Sequence, residues 1–354
     1  MKTKIWCSIA LVVAGLALPL WAQNFPAAKG DDGPVASFGK FWILIDPPYQ
    51  AMFAGCPLYN PATHVLESPT LYDNITTVIG RSVPIKEGSP QDNGGVPVGS
   101  ANTPVRDAGM VVPPSFTPIA PNSHEVHTEL RHLNMETWPP VPPANQARVR
   151  AGVCYNGTAC SSPPPPNRIS RGEVVSNHAP AGTAPDFPAR SYFNVFAQID
   201  IPACPGSTFP GATVYNKAPL LVHTPSIAGF PPSGVVYMHD SSSAVPVFLK
   251  HGLKWEHGKR RLGCVILAGH GIIPTFHRAA TLDEAPPATQ VSFQKGQAAP
   301  PREYEREQKI RPPEKHEVEK EAEKFQEHMK REHDREGGHH RDCGPAGRDD
   351  DKDD

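Results

Sequence analysis

The sequence lacks three features that would each have indicated a class of function. Its formal net charge is −2, too close to neutral for the basic surface that nucleic-acid binding needs, so we predict no nucleic-acid partner. Beyond residue 20 no segment approaches the ~20 apolar residues of a spanning helix, so we predict no membrane span in the mature chain. Signature motifs of metalloproteases, serine hydrolases, nucleotide-binding loops and paired Cys-x-x-Cys sites are missing. These absences favour a non-catalytic binding or structural module over an enzyme.

The N-terminal residues have the pattern of a secretory signal. Lys2 and Lys4 precede an apolar run over 5–20, and Ala22 provides a small residue at a cleavage point. We therefore expect a signal peptide over 1–22 and a mature protein that is exported, either to the periplasm or to the cell exterior.

The cysteines predict disulfide bonds. Of the seven in the chain, Cys7 lies inside the predicted signal, which leaves an even number in a chain expected to be exported. Spacing favours one pair, Cys154 with Cys160, because the turn-prone residues between them can bring the two thiols together. The remaining connectivity stays open, and Cys343, in a charged tail, is interpreted as unpaired or intermolecular.

The body is predicted to be mainly β. Its 43 prolines and 29 glycines require frequent turns, and the segments between them are short apolar runs rich in Val, Leu and Ile. No alternation of strand and helix patterns appears, so we expect sandwich-like units of short strands, or an open barrel. The predicted strands cover 41–45, 71–79, 126–135, 193–201, 220–223, 235–238, 245–249 and 264–268.

Composition divides the chain into four predicted segments. After the signal come a flexible lead-in over 23–36, a β-rich body over 37–295 and a charged tail over 296–354. Proline-rich spacers place a boundary within 136–170 if the body consists of two units rather than one.

Two of the predicted strands carry specific expectations. Over 193–201 apolar and polar residues alternate, with a single exception at Phe196, which predicts a half-buried strand. Over 126–135 the apolar face changes between Leu130 and Leu133, and a β-bulge would account for the change.

The tail contains a predicted helix at about 314–335. Pro313 can start it, Gly337 can end it, and four apolar residues lie on one stripe. Charged neighbours at helical spacing, such as Glu321 with Lys324, add small stabilising contributions. We interpret the segment either as a solvated helix or as a surface for self-association or protein docking. The stripe consists of Val318, Ala322, Phe325 and Met329.

Three stretches, 126–135, 149–152 and 186–196, resemble a family of uncharacterised secreted bacterial proteins. In that family a Thr-Glu strand precedes an Asp-Phe-Pro-Ala strand that continues as Phe-x-Val-Phe, and some members end in a sorting and membrane-anchor tail. The resemblance covers roughly 71–249 and implies an exported β-rich fold. The family has no assigned activity, so the resemblance transfers no catalytic residue.

Sixteen histidines raise the question of a metal site. His124, His127 and His132 do not converge on a regular strand, because spacings of three and five put neighbours on opposite faces. His270 and His277 flank a loop that could bring them together, and they are the candidates for Zn²⁺ or Cu²⁺. We otherwise predict no cofactor, and a metal-binding protein is the first alternative function. Histidines that could bind metal loosely in the tail are His316, His328, His333, His339 and His340.

The body contains a single basic and aromatic cluster. It is interpreted as a contact for an acidic glycan, a phosphate or an anionic surface, or as an exposed hairpin loop. Its members are Lys254, Trp255, Lys259, Arg260 and Arg261.

A polysaccharide-active enzyme is the second alternative function. Such an enzyme would use carboxylates such as Glu129, Asp200 and Asp240, although carboxylates in alternating strands mostly face solvent. We assign no catalytic residue.

Overall fold

The computed structural model of the chain describes a large part of the body and one helix of the tail. The described residues are 25, 30–31, 35–80, 85–86, 113–116, 123–142, 145–152, 169–178, 185–230, 232–239, 243–250, 260–273 and 315–335.

Strands dominate these residues. The strands are β1 (Gly30–Asp31), β2 (Val35–Ile45), β3 (Tyr59–Asn60), β4 (Val65–Glu67), β5 (Leu71–Gly80), β6 (Ile85–Lys86), β7 (His124–Thr137), β8 (Arg148–Ala151), β9 (Arg171–Ser176), β10 (Ala189–Val195), β11 (Ala197–Ile201), β12 (Ala212–Asn216), β13 (Leu220–Ile227), β14 (Val236–His239), β15 (Val245–Leu249) and β16 (Arg261–Ile272). The helices are α1 (Pro47–Gln50) and α2 (Lys315–Arg335), and 3-10 turns cover Ala51–Phe53 and Pro114–Phe116. The predicted mainly β fold with a charged C-terminal helix is confirmed.

The strands form one antiparallel sheet that closes on itself. The closing pair is β2 with β16, which run side by side from Ile45 opposite Gly263 to Ser37 opposite Ile272. One circuit follows β2, β5, β7, β8, β11, β12, β15 and β16 back to β2. A second circuit shares β2, β5, β7 and β16 and passes through β9, β10, β13 and β14. The predicted sandwich is not confirmed, because this closed sheet encloses a single interior.

The long strands explain how two circuits share one interior. β7 pairs with β9 through its first half and with β8 through its second half. β16 likewise pairs with β15 near Arg261 and with β14 near His270. β10 and β11 are separated by Phe196 alone. Described strands from before and after the region 136–170 thus belong to the same sheet.

The two specific strand expectations have different outcomes. The bulge in β7 is confirmed, because Val78 lies opposite Leu130 and Thr77 opposite His132, which leaves Arg131 without a partner position. The half-buried strand over 193–201 is buried more fully than predicted, since Asn194 and Gln198 are also buried. Their face is covered in the structure rather than left to solvent.

One end of the closed sheet is capped by two loops, which we call the plug, residues 47–60 and 202–211. Phe53 stacks on Phe209 with ring centroids 4.2 Å apart. A disulfide joins Cys56 to Cys204, whose Cα atoms are 5.4 Å apart. Disulfide bonding is thus confirmed, while the predicted pair Cys154–Cys160 lies outside the described residues. Cys264 is also disulfide-bonded.

Helix α2 packs on the outer surface of the sheet over β2 and β16. All four residues of the predicted stripe are buried, against Phe38, Trp42 and Leu267. Glycine at 269 and 271 makes this approach possible, because a Cβ at Gly271 would lie 2.8 Å from a ring carbon of Phe325. The stripe therefore docks onto the protein's own sheet. Within the described parts of the chain, no helix is long and apolar enough to cross a membrane.

Candidate functional site

The interior of the closed sheet contains an apolar cavity of about 100 Å³. Its walls come from inward-facing residues on both circuits of the sheet, where alternate positions of each strand point to the same side. Lining residues include Phe41, Leu130, Leu133, Met135, Val149, Ile199, Val222 and Val265. The bulge at Arg131 is what allows Leu130, Leu133 and Met135 to face the same space. Few polar atoms reach this wall, so water would find few hydrogen-bond partners there.

The residues that line the cavity are spread along the strands of the sheet. Along β10 and β11 its lining extends from Phe193 to Ile199, a distance of about 20 Å along an extended strand. On β16 it extends from Val265 to Ile272. A volume of about 100 Å³ spread over this length leaves room for one unbranched chain rather than for a compact ring system.

The two ends of the interior are closed by different apolar clusters. The plug closes the end at Ile45 and Ile201. At the end where β7 begins, Phe25 and Phe187 meet edge to face with centroids 5.0 Å apart. Asp186 holds this second cluster together.

Asp186 belongs to the Asp-Phe-Pro-Ala stretch that carries the family resemblance. Its Oδ2 accepts the backbone N–H of Phe25 at 2.8 Å, and its Oδ1 lies 2.8 Å from His124 Nδ1. Phe25, which lies in the predicted flexible lead-in, is buried.

Polar side chains on the cavity wall are few, and most have partners. Thr76 donates to Asp73 at 3.0 Å, and Tyr237 donates its hydroxyl hydrogen to Ser191 at 3.0 Å. The Lys40 ammonium group pairs with Glu67. His270 differs, because its Nε2 is buried and has no hydrogen-bond partner among the described residues.

His270 therefore lies on the wall as a neutral imidazole. Burial lowers the pKa of its ring from 6.5 to about 4, because the charged form would lose its hydration without gaining a partner. The neighbouring strands place Gly39 and Tyr237 opposite it. The sequence singled out His270 as a metal ligand, but its partner candidate His277 lies outside the described residues.

This histidine makes the stability of the fold depend on pH. The pKa of His270 is about 4 in the fold against 6.5 ordinarily, so above the higher value neither state carries its proton and stability is unaffected. Between the two values the unfolded chain binds a proton that the folded chain does not. Stability is therefore lost as the pH falls through this window, by about 3 kcal/mol in total.

We expect the variant His270→Leu to lose less stability on acidification than the wild type does, by about 2–3 kcal/mol. Urea unfolding of both proteins at neutral pH and near the lower end of the window measures this difference. The other histidines are common to both proteins, so their titration cancels. Equal losses in the two proteins would show that His270 is not buried as a neutral ring.

The three histidines of β7 do not form one metal site. Each lies nearest a different carboxylate: His124 near Asp186 at 2.8 Å, His127 near Glu173 at 3.8 Å, and His132 near Asp73 at 4.0 Å. Among the residues that the structure describes, no group of three or more His, Cys, Asp or Glu side chains could hold a metal ion.

A buried row of polar residues crosses the outer face of the sheet. His127, Glu173, Tyr192 and His223 lie opposite one another on β7, β9, β10 and β13. Glu173 and Tyr192 are 1% and 0% exposed. Strand pairing puts such side chains within about 5 Å of each other. The row stands apart from the cavity lining, and within it His127 Nε2 lies 3.8 Å from Glu173 Oε1.

Most of the remaining sequence candidates have structural partners or lie outside the described residues. Arg261 donates from Nε to Asp46 at 2.7 Å. Asp200 accepts the Thr213 hydroxyl at 2.7 Å and pairs with Arg150. Glu129 is buried rather than solvent-facing, a correction to the expectation for alternating strands. Arg260 is exposed. Outside the described residues lie Lys254, Trp255, Lys259 and Asp240.

One sequence pattern indicated an apolar strand face that lines the cavity in the structure. The strands on the opposite side of the cavity could not be identified from the sequence. The alternation of Phe193, Val195, Ala197 and Ile199 marks a strand with one apolar face, and that face lines the cavity. Which strands face it across the interior depends on the closing pair of β2 and β16, for which no local pattern exists.

Comparisons with known proteins do not identify a family. No protein-family model matches the sequence, and no curated protein matches it. A solved structure, DynF from the dynemicin biosynthesis pathway of Micromonospora chersina, is similar with 13% identity and a TM-score of 0.36. The similarity covers 71% of this chain and 82% of that one.

Proposed function

We propose that this chain is an exported, non-catalytic binding protein that takes a small linear apolar molecule into the interior of its closed sheet. The observation that carries the proposal is the cavity of about 100 Å³ with almost purely apolar walls, whose lining extends about 20 Å along β10 and β11. An engineered apolar cavity of about 150 Å³ binds benzene. The disulfide in the plug supports the exported location.

The physical basis of binding would be removal of apolar ligand surface from water. Each buried methylene group contributes about 0.8 kcal/mol. A preformed wall adds to this, because little of the binding free energy is spent on ordering the protein. The cavity is narrow, so a linear chain should fill it where a ring of the same carbon number does not.

Isothermal titration calorimetry with hexane and cyclohexane tests the proposal. We expect hexane to bind and cyclohexane to bind at least tenfold more weakly. Absence of heat with both hydrocarbons, confirmed by unshifted methyl resonances of the lining Val and Leu residues, would overturn the proposed function.

A cavity-filling variant locates the binding site. Ala197 lines the cavity, and leucine there would occupy space equivalent to two or three methylene groups. Ala197→Leu should therefore weaken hexane binding by about 2 kcal/mol, more than tenfold. The matched control Ala54→Leu adds the same atoms at an exposed position and should leave affinity unchanged. Equal affinity in both variants would place any bound hexane outside the cavity.

A further inference from the structure

Among the described residues of the cavity wall, a buried polar atom of His270 has hydrogen-bonding capacity that is not used. His270 lines the cavity, and its Nε2 has no partner among the described residues. A neutral imidazole has one donor and one acceptor nitrogen, and rotation of the ring exchanges their positions. A buried polar atom without a partner is costly, so a ligand that supplies one would gain by it.

We propose that His270 is the head-group contact of this cavity, and that the ligand is a neutral linear amphiphile with a terminal hydroxyl. The hydroxyl exchanges a hydrogen bond with the imidazole, and the alkyl chain lies along the apolar wall formed by β10 and β11. This assignment rests on the proposed function and specifies its ligand class.

The surroundings of His270 favour a hydroxyl over a carboxylate. A carboxylate would enter the cavity as an anion, and burial of an unpaired charge is far more costly than burial of a hydroxyl. The ammonium group of Lys40 already pairs with Glu67 and lies 5.2 Å from the centre of the Trp42 ring. The imidazole itself stays uncharged at neutral pH. Among the described lining residues, no other cationic side chain is present to neutralise a carboxylate.

Removing the imidazole should affect polar and apolar ligands differently. His270→Leu keeps a side chain of similar size and removes both nitrogens. In this variant hexan-1-ol must lose its hydration without compensation, so its Kd relative to that of hexane should rise at least tenfold over the wild-type ratio. His270→Gln, which keeps a donor and an acceptor, should retain part of the preference for the alcohol.

The experiment is calorimetric titration of hexane, hexan-1-ol and hexanoate into the wild type and both variants at neutral pH. The expected result is a Kd ratio of alcohol to hydrocarbon that depends on residue 270, with hexanoate at least tenfold weaker than hexan-1-ol in the wild type. An unchanged ratio in both variants would overturn the head-group assignment while leaving the cavity function intact. Tighter binding of hexanoate than of hexan-1-ol would overturn the choice of hydroxyl.

Two controls address the cases in which hexane does not bind the wild type or His270→Leu does not fold. If hexane fails to bind the wild type, the proposed function fails, and the head-group assignment fails with it. If His270→Leu does not fold, the ¹⁵N resonances of the His270 ring in the wild type decide the question. We expect them to shift on addition of hexan-1-ol and not of hexane, and shifts of equal size with both ligands would contradict the assignment.

Discussion

Replacing Cys56 and Cys204 together with alanine should lower the free energy of unfolding by about 2–5 kcal/mol. The two residues are separated by 148 positions, and cross-links that close long loops restrict the unfolded chain most. The cross-link also joins the two loops of the plug, where Thr208 donates its N–H to the carbonyl of Met52 at 3.1 Å. The plug residues themselves should lose order before the sheet does.

Urea unfolding followed by circular dichroism measures the change in the midpoint. A reducing agent added to the wild type acts on every disulfide, including that of Cys264. Adding it to the double alanine variant isolates the contribution of the others. A double variant that unfolds at the wild-type urea concentration would mean that the non-covalent contacts of the plug, such as Phe53 on Phe209, hold it without the disulfide.

Local patterns in the sequence predicted most of the longer strands. All eight predicted strands occur, because each combines apolar residues with turn residues at both ends. The strands that the sequence did not reveal are short, such as β3 and β4, or carry charged residues among few apolar ones, such as β8 with Arg148 and Arg150. Their pairing with a neighbouring strand, rather than their own composition, makes them strands.

How the strands pair with one another was harder to predict than which segments form strands. The closed sheet depends on β2 pairing with β16, and the disulfide joins Cys56 to Cys204; both link residues far apart in the chain. Contacts of this kind leave no periodic pattern in the sequence. The local pair Cys154–Cys160 was favoured because nearness along the chain was the available criterion, and that pair stays a prediction.

For the candidate site, too, the sequence identified a residue but not its surroundings. The sequence identified His270 as a residue of interest because histidine is a common metal ligand. Its significance in the structure comes from its surroundings instead, since the neighbouring wall residues are apolar and come from strands remote in sequence. Alternation within β16 could place His270 on one face with Ala268 and Ile272, but not show that this face encloses a cavity.

The second large effect should come from helix α2. Phe325 is 4% exposed and stacks on Phe38 with ring centroids 6.2 Å apart. Phe325→Ala should cost about 3–5 kcal/mol at a fully packed site. A single charged helix is marginally stable in water, so the loss should appear as detachment and unfolding of α2 rather than of the whole protein.

Hydrogen exchange and tryptophan fluorescence distinguish these two modes of unfolding. In Phe325→Ala the amides of α2 should lose protection while those of β2 and β16 keep theirs, since local opening needs less free energy than global unfolding. Trp42, buried beneath the helix and stacked on His333 at 5.7 Å, should shift its emission to the red. The control Glu323→Ala alters an exposed position of the same helix and should change neither signal. Equal loss of protection in helix and sheet would instead mean that α2 is an integral part of one cooperative core, because its stripe then stabilises every strand that it covers.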